Sequence, residues 1–150
     1  MQRRKFLGLG VAAVTAVLAP ASLGAIDYRS TKPNTWTAHN VPDAMKALYG
    51  TTTTIEKGVK ITIPEIAANG GAIPVKIESD IAAKSVALFQ DANPESAVAV
   101  WTLNENSIID FDVKIKMKAN GAMTVVVEGN DGKLYSVTQS LEVAKGGCEG

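Results

Sequence analysis

The sequence predicts an all-β protein: an antiparallel β-sandwich with a short N-terminal helix and a flexible C-terminal arm. Three observations indicate this fold class. Apolar residues alternate with polar ones in about seven short segments, turn residues separate these segments at near-regular intervals, and only one segment has a helical pattern. With 150 residues, 46% of them apolar, the chain is large enough for one domain with its own core.

The first 25 residues have the composition of an export signal. Arg3 and Arg4 precede an uncharged segment that continues past Ala25 and carries small residues near its end. This pattern predicts a cleaved twin-arginine signal peptide over residues 1–25, and therefore export to the periplasm. A membrane anchor is the alternative, but glycine, threonine and proline make the segment only weakly apolar. After cleavage we expect no membrane association.

The charge balance excludes some classes of partner. Cleavage after Ala25 removes three of the 15 basic residues and none of the 15 acidic ones, which leaves a net charge of −3. A mildly acidic protein is a poor nucleic-acid binder, so we expect no nucleic-acid partner. His39 and Cys148 are the only histidine and cysteine, too few for a zinc site, and we expect no metal and no cofactor. His39 lies in a polar segment, which favours an exposed histidine over a catalytic base.

Residues 26–143 are predicted to form the sandwich domain, which begins with a polar lead over residues 27–39 and a short helix. Asn40 is a favourable N-cap, Pro42 suits the first helical turn, and Gly50 is a typical terminator. The apolar face of this helix consists of Val41, Met45, Leu48 and Tyr49.

The first predicted strand starts with a threonine run over residues 51–54 and ends at Pro64. The next strand covers residues 73–77, where Pro74 indicates an edge strand or a bulge. Further strands are predicted over residues 85–89, 97–103, 109–117, 123–128 and 133–143. The last two strands flank Asn130-Asp131-Gly132, a specific signal for a hairpin.

Two of these strands suggest contacts beyond the chain. Residues 97–101 are apolar at every position, which predicts burial on both faces in the core, with an interface as the second interpretation. The strand over residues 109–117 alternates apolar residues with Asp110, Asp112, Lys114 and Lys116. We interpret these charges as a solvated face, and an interface rim is the alternative.

The only cysteine, Cys148, lies third from the end of the chain. Cysteine is usually buried, so a cysteine at an exposed terminus indicates chemical reactivity. The predicted arm, residues 144–150, reaches about 23–25 Å when extended. Glycines at 146, 147 and 150 remove side-chain bulk and would let the thiol pass along a narrow channel. A frayed terminus with an incidental cysteine is the alternative.

These residues resemble the SoxY family, the sulfur-carrying subunits of the bacterial thiosulfate-oxidising Sox system. The ending Gly146-Gly147-Cys148-Glu149-Gly150 is similar to the family's Gly-Gly-Cys-Gly-Gly terminus. Three internal segments also resemble the family in the correct order: Asn69-Gly70-Gly71-Ala72-Ile73-Pro74-Val75, Ala92-Asn93-Pro94 and Asn130-Asp131-Gly132-Lys133-Leu134-Tyr135.

The resemblance implies an immunoglobulin-like sandwich that carries sulfur and is not an enzyme. Pathway intermediates would be attached covalently to Cys148 on an arm formed with Gly146, Gly147, Glu149 and Gly150. The implied partners are a SoxZ-like sandwich subunit, which would complete a heterodimer, and the enzymes resembling SoxXA, SoxB and, in some systems, SoxCD. Their cargo would be derived from thiosulfate.

Two other classes of function remain open. In the first, Cys148 forms an intermolecular disulfide and the protein is a periplasmic redox module, because a lone cysteine has no partner in its own chain. In the second, the sandwich binds a partner only through its faces. Neither class explains the glycines that flank Cys148.

Glu149 departs from the family pattern, which has glycine at this position. We expect the channels of the partner enzymes to tolerate this carboxylate or to pair with it. The variant Glu149→Gly should therefore change the rate at which Cys148 is loaded by its cognate enzyme, measured at low and high salt. An unchanged rate with an unchanged salt dependence would contradict this expectation.

Overall fold

A computed structural model describes residues 26–144, and the predicted signal peptide and residues 145–150 lie outside this range. The described chain forms three helices and eight strands. The helices are α1 (Tyr28–Thr31), α2 (Pro33–Thr37) and α3 (Val41–Tyr49), and the strands are β1 (Val59–Thr62), β2 (Ile66–Ala67), β3 (Ile73–Ser79), β4 (Ala83–Gln90), β5 (Ala97–Thr102), β6 (Ile109–Ile115), β7 (Gly121–Gly129) and β8 (Leu134–Val143).

The strands form two sheets, which confirms the predicted all-β class. One sheet has the order β1-β3-β6, and the other has the order β2-β8-β7-β4-β5. Neighbouring strands are antiparallel with one exception: β2 pairs in parallel with β8. The sequence did not predict β2, since two residues are too few to establish a period of two.

The main core lies between the two sheets. Strand β3 shows how the sequence builds it: Ile73, Val75 and Ile77 are almost completely buried, while Pro74 and Lys76 alternate with them on the outer face. The predicted alternation over residues 109–117 is confirmed as well. Its apolar residues face the same core, and its charged residues are exposed.

A second core lies on the outer face of the five-stranded sheet, where α3 packs. The predicted caps of this helix are correct: the Asn40 side chain accepts a hydrogen bond from the Asp43 amide at 2.8 Å, and Gly50 adopts φ 78°. Met45 and Leu48 are buried against Phe89 of β4. Burial of each such side chain stabilises the fold by about 1.5–3 kcal/mol.

The prediction that residues 97–101 are buried on both faces is wrong. These residues belong to β5, which is the edge strand of its sheet, and all of them are only half-buried. The strand that is covered on both faces is β4: Val86 and Leu88 face the core between the sheets, whereas Ala87 and Phe89 face α3. The helix layer decides the difference, because α3 covers the centre of the sheet and leaves its edge exposed.

Three smaller expectations also need correction. The threonine run at 51–54 does not start a strand, since β1 begins only at Val59. Strand β3 is the middle strand of its sheet and not an edge. Pro74 is tolerated there because β1 pairs with only four residues of β3, and Pro74 lies outside them. The polar lead contains α1 and α2, and Asp27 caps α1 by accepting hydrogen bonds from the amides of Arg29 and Ser30.

Gln90 at the end of β4 is a completely buried polar residue whose amide organises the loop that follows. Its Nε2 donates to the Glu95 carbonyl at 2.7 Å, and its Oε1 accepts from the amides of Ala92 and Asn93, both at 2.7 Å. A single side chain thus satisfies three backbone groups that the loop itself leaves unpaired.

The variant Gln90→Leu should lower the free energy of unfolding by about 2 kcal/mol or more, because it leaves these buried backbone groups without partners. Urea unfolding measures the loss through the transition midpoint. Gln139→Leu, the same substitution at a half-buried position of β8, is the matched control and should change stability by no more than about 0.5 kcal/mol. Equal effects of the two substitutions would contradict the structural role of Gln90.

Candidate functional site

The predicted carrier residues Gly146, Gly147, Cys148, Glu149 and Gly150 lie outside the described residues. The structure instead describes the place from which they continue, the C-terminal end of β8. We call this the arm end of the sandwich. Three loops also lie there, over residues 68–72, 91–96 and 116–120, because β3, β5 and β7 begin at this end while β4 and β6 finish at it.

Side chains and backbone groups lock these loops to one another. The Asn69 side chain accepts from the Gly71 amide at 2.8 Å, and the Gly70 carbonyl accepts from the Met117 amide at 2.9 Å. Asn93 donates through Nδ2 to the Lys116 carbonyl at 2.7 Å and accepts from the Lys118 amide at 3.0 Å. Two of the three internal segments that resemble the SoxY family therefore meet at the arm end.

The third segment forms the β7–β8 hairpin at the opposite end of the sandwich. Asp131 accepts from the Lys133 amide at 3.0 Å and from the Tyr135 hydroxyl at 2.6 Å. The hydrogen bond from Tyr135 lowers the pKa of Asp131, since it stabilises the ionised carboxylate. Gly132 in the same turn has φ 79°, a conformation that favours glycine.

The last residues of β8 are held on both sides. On one side, the amides of Glu142 and Ala144 donate to the carbonyls of Glu65 and Ala67, at 2.8 and 2.9 Å. On the other side, the Val143 amide donates to the Asn120 side-chain oxygen at 2.8 Å. Strand β7 begins only at Gly121, opposite Leu141, so the Asn120 side chain replaces the backbone partner that β7 cannot provide. The chain is thus fixed as far as Ala144.

A surface groove of about 660 Å³ adjoins this fixed segment. Its lining residues are Glu65, Ile66, Asp91, Asn120, Gly121, Ala122, Ser140, Leu141 and Glu142. Asp91 is immobilised there, because its side chain accepts from the Ala122 amide at 2.7 Å. A Cβ at Gly121 would overlap the Asp91 carboxylate and lie 3.0 Å from the Met117 methyl group, so a side chain here would displace the Asp91 carboxylate from its present position.

Other polar groups have structural partners. His39 is exposed, as predicted, and its Nδ1 lies 2.8 Å from the Pro94 carbonyl oxygen. Ser85 is buried and donates to Glu128 at 2.9 Å, and its hydroxyl lies 3.2 Å from that of Tyr49. Burial of Tyr49 raises the pKa of its phenol, so this group stays neutral across the physiological range.

The charged face predicted on residues 109–117 is solvent-exposed. Lys76 of the neighbouring β3 lies 3.2 Å from Asp110 and 3.7 Å from Glu78, and Asp110 raises the pKa of this lysine. Within residues 26–144, no three or more His, Cys, Asp or Glu side chains are grouped so as to hold a metal ion. The helices in this range are all too short or too polar to span a bilayer.

Comparisons with known proteins agree with this architecture. The chain matches the sequence profile of "Sulfur oxidation protein SoxY" over residues 45–148. Its structure is similar to that of the sulfur carrier protein SoxY from Chlorobium limicola f. thiosulfatophilum, with 29% sequence identity and a TM-score of 0.62 over 68% of this chain and 94% of the other. No curated protein sequence matches the chain significantly.

More distant similarities concern the fold alone. Superoxide reductase (neelaredoxin) from Ignicoccus hospitalis is 15% identical with a TM-score of 0.53, over 59% of this chain and 81% of the other. A putative superoxide reductase from Thermotoga maritima is 12% identical with a TM-score of 0.50, over 61% and 89% of the two chains.

Taken with the two-sheet architecture, the profile match places the chain among sulfur oxidation proteins built on a β-sandwich. The chain belongs to the SoxY family.

Sequence reasoning did not identify the residues that build the arm end. Asp91 and Asn120 lie between predicted strands, and Glu65 and Ile66 belong to no predicted element. A turn signal such as Asn120-Gly121 shows where the chain reverses, but it does not show which distant strand the asparagine side chain will bind.

The variant Asn120→Ala should loosen the last residues of β8 without unfolding the sandwich. Loss of one neutral hydrogen bond of about 0.5–1.5 kcal/mol should lower the protection of the Val143 amide against hydrogen exchange about two- to tenfold. Exchange measured by NMR on the mature chain tests this, with Asn106→Ala in the loop before β6 as control. Unchanged protection of Val143 would show that Asn120 does not hold the arm end.

Proposed function

We propose that this protein is a periplasmic sulfur carrier that holds thiosulfate-derived intermediates on Cys148 and presents them to the enzymes of sulfur oxidation. The observation that carries this proposal is that the chain is fixed as far as Ala144, four residues before the only cysteine. The family profile that the chain matches extends to Cys148. Export of the mature chain by the twin-arginine pathway is part of the proposal.

In the first step, the Cys148 thiol is joined to the outer sulfur of thiosulfate. The thiol loses its proton, the two sulfur atoms form a bond, and two electrons pass to a haem enzyme resembling SoxXA. The product is a cysteine S-thiosulfonate. Such a sulfur–sulfur bond is reversible by thiolate attack, which suits a carrier that must also be unloaded.

In the second step, a hydrolase resembling SoxB adds water across the bond between the sulfane sulfur and the sulfonate group. Sulfate leaves, one proton is released, and Cys148 keeps a persulfide. The remaining sulfane sulfur then passes to a sulfane dehydrogenase resembling SoxCD or to another acceptor. In each step the enzyme performs the chemistry, and the carrier supplies a tethered substrate, so the carrier itself is not an enzyme.

Tethering is useful because each intermediate stays bound while it moves between active sites. The four residue steps from Ala144 to Cys148 span at most about 14 Å when extended. A cargo attached to such a short segment has a high effective concentration near the sandwich and cannot diffuse away between enzymes.

We also propose that the SoxZ-like subunit binds the edge formed by β5. The β5 residues Ala97–Thr102 carry no charge, are half-buried for the most part, and pair with a strand on one side only. Exposed edge strands are normally protected by charges or bulges. The β4–β5 pairing has one register shift, at Leu88/Phe89, but from Ala99 to Thr102 the β5 edge is regular and uncharged, which suits pairing with another chain. Trp101 of β5 packs against Phe111 of β6, with ring centroids 5.0 Å apart, which extends the apolar surface across both sheets.

A periplasmic redox module is the second candidate function. A single cysteine can only form a disulfide with another molecule, and the same terminal position would make such a dimer accessible.

Mass spectrometry without reductant distinguishes the two functions, using protein isolated from the periplasm of cells grown on thiosulfate. A carrier should give a series of sulfane and thiosulfonate adducts on the C-terminal peptide, and Cys148→Ser should remove all of them along with thiosulfate consumption. A clean thiol or only a disulfide dimer, while thiosulfate is being consumed, would favour the redox module.

The variant Thr102→Lys should weaken binding of the SoxZ-like subunit about tenfold or more, because it places a charge on the exposed β5 edge. The same substitution at Thr62, which is exposed on the edge strand β1, is the control. Titration calorimetry with the purified subunit measures both affinities. A larger effect of Thr62→Lys would place the interface on the other side of the sandwich.

A further inference from the structure

The surface around the base of the arm has a composition suited to one kind of partner. The residues lining the groove include three carboxylates, on Glu65, Asp91 and Glu142, and no basic residue. The ion pairs found among residues 26–144 involve other residues, all on the outer face of the β1-β3-β6 sheet. The charged side chains that line the groove are therefore all negative, while the exposed Lys116 and Lys118 lie in the neighbouring loop and outside the lining.

An exposed apolar residue lies within this acidic surface. Ile66 has 63% of its surface accessible, although it belongs to a strand that is paired with β8. The parallel register places Ile66 beside Glu142, and both side chains are exposed while their neighbours Ala67 and Val143 are more buried. We call Glu65, Ile66, Asp91 and Glu142 the arm-base surface.

The length of the arm brings a partner against this surface. Ala144 is held by β2, and Cys148 can lie at most about 14 Å from it. An enzyme that receives the cargo in a recessed active site must therefore place the mouth of its channel close to Ala144. Such a mouth contacts the residues around the end of β8, which include those of the arm-base surface.

The charge of the cargo indicates the charge of that mouth. Both the S-thiosulfonate and the sulfate that is released from it are anions, so an enzyme that hydrolyses the first to the second needs a positive potential in its active site. A channel of that sign is complementary to three carboxylates.

We propose that the arm-base surface is the docking site for the sulfate-releasing hydrolase, through a channel mouth with basic residues around an apolar contact for Ile66. This inference rests on the proposed carrier function. Glu65, Ile66 and Glu142 lie on or beside β2 and β8, at the other end of the sheet order from β5, whereas Asp91 directly follows β4, the neighbour of β5. The docking site is therefore centred away from the β5 edge.

The test uses the full mature chain in complex with its SoxZ-like subunit, loaded chemically so that the conjugating enzyme is not needed. The Cys148 thiolate attacks tetrathionate, one thiosulfate leaves, and the product is the S-thiosulfonate. The measured quantity is kcat/KM for sulfate release by the hydrolase from the same organism. The double variant Glu65→Gln/Glu142→Gln is compared with Glu56→Gln/Glu105→Gln, which changes the same charge at two exposed sites away from the arm end.

At about 10 mM salt we expect the arm-base double variant to lower kcat/KM about fivefold or more, through a higher KM, while the control variant stays within about twofold of wild type. The difference should disappear near 1 M salt, where the Debye length falls from about 30 Å to about 3 Å. Ile66→Ser should also raise KM, and Ile108→Ser should not, although Ile108 is more exposed, at 80%.

Alkylation of unloaded Cys148 by iodoacetamide provides a second readout. Its rate should be the same in wild type and in all variants, because docking residues act on the enzyme complex and not on the thiol. A matching change in the alkylation rate would overturn the docking proposal, as would equal effects of the arm-base and control variants on kcat/KM. If the loaded wild-type protein releases no sulfate with the hydrolase, the proposed carrier function itself fails, and the docking site with it.

Discussion

The hydrogen bonds of Glu142, Val143 and Ala144, at the end of β8, are the constraint on which the functional interpretation depends. A strand that extends beyond its neighbour in the sheet would normally lack backbone hydrogen-bond partners for its last residues. Here β2 provides carbonyl acceptors on one side and Asn120 provides an amide oxygen on the other. The buried methyl group of Ala67 fixes β2 to the core, and β2 in turn holds the chain as far as Ala144.

The loops at the arm end share this organisation. Polar side chains hold these loops by hydrogen bonds to backbone groups of the same loop or of a neighbouring one. Gln90, Asn93 and Asp91 are examples. Such bonds satisfy backbone groups that strands cannot pair where the sheets end. They also give the base of the arm a fixed shape, so that a docking enzyme meets a preformed surface and loses less free energy to ordering it.

The two edges of the five-stranded sheet differ in chemistry in a way that suits two partners. Strand β5 is uncharged and half-buried, which suits a long-lived interface with a second sandwich. The edge near β2 is acidic with one exposed isoleucine, which suits repeated, salt-dependent encounters with enzymes. The proposed carrier would need both kinds of contact, because the SoxZ-like subunit would stay bound while the enzymes exchange.

The sequence by itself determined the all-β class, the α3 helix with its caps, the alternating strand β6 and the β7–β8 hairpin, since each depends on local periodicity or turn chemistry. It also led to the SoxY family through short motifs, and the profile match confirms that family. Only the tertiary structure decided that β4 and not β5 is buried on both faces, that β2 exists, and that Glu65, Asp91 and Glu142 share one groove. These features depend on which distant segments meet, and periodicity along the chain carries no information about that.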